Sequence, residues 1–141
     1  MDAAFFGSGA IAELLPPSVR RLSAPEELTQ RRWDLLALTR SGCVRLRPSG
    51  VACGCVTLLL PGDQGELTQG RIRAERVIGY GLSPRDSLTL SSMGEGAVLC
   101  VQRTLLRPDG GAVELQELPL PPLGLPPEEL LALYGVRLLL E

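Results

Sequence analysis

No histidine, lysine or asparagine occurs in the 141 residues, and all 14 basic side chains are arginine. Each absence removes a chemistry. Without His there is no Ser-His-Asp or Cys-His arrangement, and the commonest metal ligand is missing. Without Lys there is no phosphate-loop lysine, no Schiff base and no lysine general base. A GC-rich coding bias also replaces Lys by Arg on surfaces, and the exclusion holds whatever its origin. The chain is therefore expected not to be an enzyme.

An excess charge of one sign is absent too. Acids outnumber bases only 16 to 14, and the arginines are scattered: Arg20-Arg21, Arg31-Arg32, Arg45 and Arg47. This disfavours a nucleic-acid partner. No basic segment precedes the apolar Ala3-Ala4-Phe5-Phe6, so a secretory signal is not expected. The longest uncharged run, Pro48 to Gly62, is shorter than a membrane span and contains Pro and Gly. These features predict a cytoplasmic protein with no membrane partner. Its cysteines, Cys43, Cys53, Cys55 and Cys100, should then be reduced. Cys53 and Cys55 share one face of a strand, and no C-x2-C pair exists for zinc. No metal or cofactor is expected.

What is present is a 45% hydrophobic chain of one-domain length, long enough for a core. Residues 1–22 read as a partly mobile leader with a short helix over Ile11, Leu14 and Leu15, ended by Pro16-Pro17. Ser23 and Glu26 match a capping box, and Leu28, Arg32, Leu35 and Leu36 follow at helical spacing up to Gly42. Trp33 should cover one edge of the core from that helix. From Cys43 the period becomes two, with Val44 and Leu46 alternating against Arg45 and Arg47. Pro48-Ser49-Gly50 then reads as a turn.

Val51 to Leu60 reads as a strand covered on both faces. A polar helical segment, about Gln64 to Glu75, leads to a second buried strand, Arg76 to Tyr80. Strand, helix, strand predicts a parallel pair. Ser87 to Ser91 and Ala97 to Leu106 read as further strands. Pro108-Asp109-Gly110-Gly111 marks a hairpin into Ala112–Leu118. A Pro-rich connection, 119–127, precedes a last helix that stops at Gly135, with Val136–Leu140 as a terminal strand. The expected fold is α/β: a compact mixed sheet with a parallel βαβ core, an antiparallel hairpin and flanking helices.

Open α/β sheets bind ligands beyond the carboxyl ends of their strands. That rule singles out Tyr80, Ser83, Arg85 and Asp86, which together can hold a small anion or carboxylate. The alternative is that Ser83 merely caps one helical turn begun by Pro84. Asp63 ends the other strand and suits a ribose or a cation, or simple turn chemistry. Gly7-Ser8-Gly9 offers backbone N–H groups to a phosphate but follows no expected strand. Glu114 and Glu117 fall on opposite strand faces and make a poor acid/base pair. Pro119, Pro121 and Pro122 satisfy P-x-x-P, but no Arg flanks them, so a semi-rigid spacer is the expected role.

One stretch has a family likeness. Leu58-Leu59-Leu60-Pro61-Gly62-Asp63 is followed by a short polar segment and then by Arg76-Val77-Ile78-Gly79-Tyr80-Gly81-Leu82-Ser83. Together with Asp86–Ser91, this resembles the end of the central domain of Mur ligases, which add amino acids to UDP-N-acetylmuramic acid. The likeness covers about a third of the chain, roughly 58–101. The family's Gly-Lys-Thr/Ser phosphate loop and its catalytic Lys and His are absent, so no site residue carries over. The resemblance implies a ligase-derived sheet without its active site.

Two functional expectations follow. The first is a non-catalytic binding or protein-interaction module, with a homo-oligomer formed through the leucine-rich tail or the edge near Val113–Leu118. The second is a ligand-binding domain holding a nucleotide or small anion near Asp63 and the Tyr80–Asp86 turn.

Overall fold

A computed structural model describes residues 1–7, 9–93 and 96–141. Its frame is set by short apolar runs that bury both faces. Ala3–Phe6 (β1) is wholly buried, and its side chains alternate between two core layers. The segment expected as a mobile leader thus supplies an inner strand. It also supplies Val19–Leu22 (β2) and a 3-10 turn over Ala10–Glu13.

Trp33–Leu38 (β3) corrects the helix expected across Leu28–Leu36. Only Pro25–Thr29 coils, as a 3-10 turn. The capping carboxylate is Glu27 rather than Glu26, accepting from the Ser23 and Ala24 amides at 3.0 and 2.9 Å. The physical reason is two-sided burial: Leu35 and Ala37 enter one layer, Leu36 and Leu38 the other. Four successive apolar residues, Leu35–Leu38, do not distinguish such a strand from a buried helix. Trp33 opens β3, fully buried, and its indole N–H donates to the Leu28 carbonyl at 3.1 Å.

The next element reverses the expectation again. Arg40–Ser49 (α1) is a helix in place of the expected strand and turn. Cys43 and Leu46 are buried, three apart, while Val44 is 60% exposed, so the true period is helical. Gly42, expected as a stop, lies inside α1, where a Cβ would run into the Phe6 carbonyl. Gly50, at φ 72, closes the helix in the left-handed conformation.

Cys53–Pro61 (β4) and Ile72–Tyr80 (β5) are parallel neighbours, with Leu58 opposite Val77 and Pro61 opposite Tyr80. Their connection is a 3-10 segment, Gly62–Thr68, shorter than the helical stretch expected. Cys55 lies in one layer and Cys53 packs against it, on a shared face. All four cysteines are unpaired. Burial pushes the Cys43 and Cys55 thiols up to about 12 and Cys53 to about 11, so they stay protonated.

Leu88–Met93 (β6) joins β5 in parallel. Gly96–Val101 (β7) and Gln116–Leu120 (β10) then extend the sheet antiparallel. Leu105–Leu106 (β8) and Ala112–Val113 (β9) form the hairpin expected at Asp109-Gly110. The eight-stranded order is β10-β7-β6-β5-β4-β3-β1-β2. This is a mixed α/β sheet whose parallel part runs 2-1-3-4-5-6, reversing direction of winding between β1 and β3.

Pro127–Leu140 (α2) continues straight through Gly135, so neither the stop nor the terminal strand exists. Gly135 lets the helix lie against the sheet: a Cβ there would stand 2.9 Å from Leu59 and 3.1 Å from Leu88. Leu130, Leu131, Leu133, Val136 and Leu139 all turn into the core on this side. Each contributes about 1.5–3 kcal/mol of burial. Opposite them, α1 and the 3-10 segments Pro25–Thr29 and Gly62–Thr68 cover the second layer.

Candidate functional site

The parallel strands place their carboxyl ends along one rim, and the loops leaving them build a cavity of about 460 Å³. Asp63, Tyr80, Ser83, Arg85 and Asp86 all line it. The structure thus brings together every residue singled out by the strand-end rule, and it gives them unequal roles.

Tyr80, the last residue of β5, is buried, and its hydroxyl donates to the Leu38 carbonyl at 2.7 Å. It ties the end of β5 to the end of β3 and forms floor rather than contact. Burial, with lesser help from neighbouring acids, holds its phenol well above the ordinary range, so it stays neutral. Asp86 is also buried and serves the turn. Its carboxylate accepts the Ser83 amide at 3.0 Å and packs against Gly62, Gly79 and Gly81. Ser83 accepts the Arg85 amide at 3.2 Å, so its hydroxyl caps the turn as well. Ser83 and Asp86 therefore preorganise the 81–86 loop.

Arg85 is left exposed. Among the described residues its guanidinium has no hydrogen-bond or ion-pair partner. It brings a guanidinium without a direct partner to a cavity whose lining also holds Arg40 and three carboxylates, Asp63, Asp86 and Glu128.

Two lining residues carry no signal in the local sequence. Arg40, the first residue of α1, donates to both Glu128 oxygens at 3.0–3.1 Å and to both Asp63 oxygens at 3.0 Å. The Arg40 hydrogen bond keeps Asp63 below the usual carboxylate range, hence ionised at neutral pH. Glu128, from the first turn of α2, closes the cluster. A helix across Leu28–Leu36 conceals Arg40. With β3 a strand, Arg40 stands just past its carboxyl end, where the same rule selects it.

Arg40 and Glu128 also wall off a smaller cavity of about 260 Å³ beside Gly9, Thr39 and Glu129, where β1 and β3 diverge. Ser8 lies outside the described residues, so the Gly7-Ser8-Gly9 candidate is placed only by its flanks. Gly7 follows β1, and a Cβ on Gly9 would meet the Glu129 carboxylate. Glu114 and Glu117 are exposed and outside either cavity, as are Pro119, Pro121 and Pro122. Among the described residues, no three His, Cys, Asp or Glu side chains gather as a metal set. No described helix is long and apolar enough to cross a membrane.

The arrangement is a cleft with one cation that is uncommitted among the described residues and, at its side, an ion cluster in which Arg40 meets two carboxylates, Asp63 and Glu128. Among the described residues that line it, none pairs a nucleophile with a base. No family model matches the chain, and neither does any curated protein or solved structure.

Proposed function

We propose that this chain is a non-catalytic binding module that takes a small molecule bearing an anionic group at the carboxyl edge of β4 and β5. The observation that carries this reading is Arg85, a guanidinium without a partner lining a cavity of ligand size. Asp63 suits a ribose hydroxyl, which makes a nucleotide the natural candidate, in keeping with the Mur-ligase resemblance of residues 58–101. The absence of His and Lys supports binding without turnover.

Calorimetric titration with ADP and UMP tests it, alongside mass analysis of small molecules released from protein purified from its host. We expect a bound nucleotide and at least a tenfold weaker affinity in Arg85→Ala, as for a charged contact worth about 1.5–3 kcal/mol. No released molecule, together with no binding at millimolar nucleotide, would overturn the reading.

As a second reading, we propose that another copy of the chain docks at the sheet edge. The tail is unsuited, because α2 turns its leucines inward. Beside the edge strand β10, however, Leu115 is 61% exposed. Light scattering over a dilution series should report a dimer that Leu115→Glu dissociates; a monomer at micromolar concentration removes it.

A further inference from the structure

A cavity larger than the carboxyl-edge pocket lies at the opposite rim. About 670 Å³ opens where β3, β4 and β5 begin, and Arg31, Arg32, Arg71 and Arg73 line it with no Asp or Glu among the lining residues. These are four of the chain's 14 bases, in a protein whose 16 acids exceed them overall. The rest of the molecule carries ten bases against sixteen acids, so positive charge is concentrated here against the general balance. A concave site lined by one sign of charge focuses its field on an incoming ion.

The four guanidiniums differ in how they are held. Arg71 donates to the Leu46, Arg47 and Val51 carbonyls, so it finishes the end of α1. Carbonyls satisfy its donors but do not neutralise its charge. Arg31 lies 5.5 Å over the Trp33 ring and pairs with Asp2. Arg32 pairs with Glu75, an exposed contact at 2.7 Å. Asp2 and Glu75 both stand outside the cavity lining. Arg73 is exposed and has no partner among the described residues. Arg71 and Arg31 are thus fixed by main chain or packing, Arg32 is held by one exposed ion pair, and Arg73 alone of the four is without a partner among the described residues.

The floor is of another kind. Leu28 and Ile72 are buried beneath the cavity, and Gly54 and Gly70 leave main chain without side chains at its side. Arginine forks over an apolar floor match a ligand with an oxyanion head and an uncharged body.

We propose that this cavity is a second binding site, for small organic phosphates, with Arg73 and Arg32 as the principal phosphate contacts. It is independent of the carboxyl-edge pocket, which lies at the other ends of the same strands.

Amide-detected NMR titration of the whole chain with inorganic pyrophosphate, then with ADP, tests the site directly. The expected result is shifts at the Gly54 and Gly70 amides. Affinity should fall at least tenfold in Arg73→Glu and severalfold in Arg32→Ala, and should weaken as salt is raised. Arg85→Ala, at the other rim, should leave these shifts unchanged. Both arginines are exposed, so the variants should melt like the parent, and matched melting separates lost binding from lost fold. Pyrophosphate shifts confined to residues 81–86, or none up to ten millimolar, would overturn the proposal. So would undiminished binding in Arg73→Glu. The carboxyl-edge reading stands or falls separately, on Arg85.

Discussion

Strands β1, β3 and β4 lie under cover on both faces, whereas β6, β7 and β10 bury only one. In the first region, neighbours such as Leu58 and Leu59 enter different layers. In the second, Leu88, Leu99, Val101 and Leu120 face α2. Thr89, Ser91, Val98 and Cys100 on the other side belong to neither core layer. Parallel strands need helices on both sides and antiparallel ones can face water, so the two regions follow their own chemistry. The difference also explains where the candidate sites lie. Loops at both rims leave β3, β4 and the neighbouring β5.

The largest expected effect comes from the layer that only the parallel region has. Leu58→Ala should cost about 2–5 kcal/mol and Trp33→Ala about 3–5, since both are fully buried. Val98→Ala and Thr89→Ala, on the uncovered face, should each cost under about 1 kcal/mol. Urea unfolding of the four variants measures this contrast. Equal losses in the two regions would mean that the open face is covered in solution.

Glycine sharpens the same contrast at a smaller scale. Gly42→Ala forces a methyl against the Phe6 carbonyl, backbone that cannot step aside, at a cost of about 1–3 kcal/mol. At Gly96, which opens β7, an added methyl would meet nothing within 4 Å among the described residues. Gly96→Ala should be neutral or stabilise by up to about 1 kcal/mol through the unfolded chain. Thermal melts of the pair decide it, and a destabilising Gly96→Ala would count against open space at that position.

Legibility in the sequence divides along the same line. The β4–β5 pairing is readable because a polar segment separates two apolar runs, and the hairpin because Asp109-Gly110 carries turn chemistry. Helix and strand exchange places between Leu28 and Ser49 for one reason. Trp33–Leu38 is buried on both sides and shows no period, while α1 is so largely solvent-facing that Val44 and Leu46 mimic alternation. Gly135 misleads because close approach to Leu59 and Leu88, not termination, requires it. The pocket residues from Asp63 to Asp86 are visible through strand-end position alone. Arg40 and Glu128 are 88 residues apart and meet only through the fold, so no local pattern announces them.

That ion cluster gives the smallest expected effect on stability and the clearest separation of binding from folding. Arg40 grips Asp63 and Glu128, yet the three side chains are 43%, 64% and 36% exposed, so water and salt screen the attraction. Arg40→Gln should therefore cost less than about 1 kcal/mol at pH 7. The sign of its pH dependence follows from Asp63, whose pKa is lowered in the folded chain from 3.8. A lowered carboxylate stabilises above its unfolded value and loses that contribution as pH falls through its folded one. The gap between parent and Arg40→Gln should thus be full at pH 7 and shrink below about pH 3.8. Urea unfolding at pH 7 and pH 3 reads both numbers. A loss of several kcal/mol at pH 7 would make the cluster a strut of the fold, and Arg40 would then have no place in the wall of a binding site.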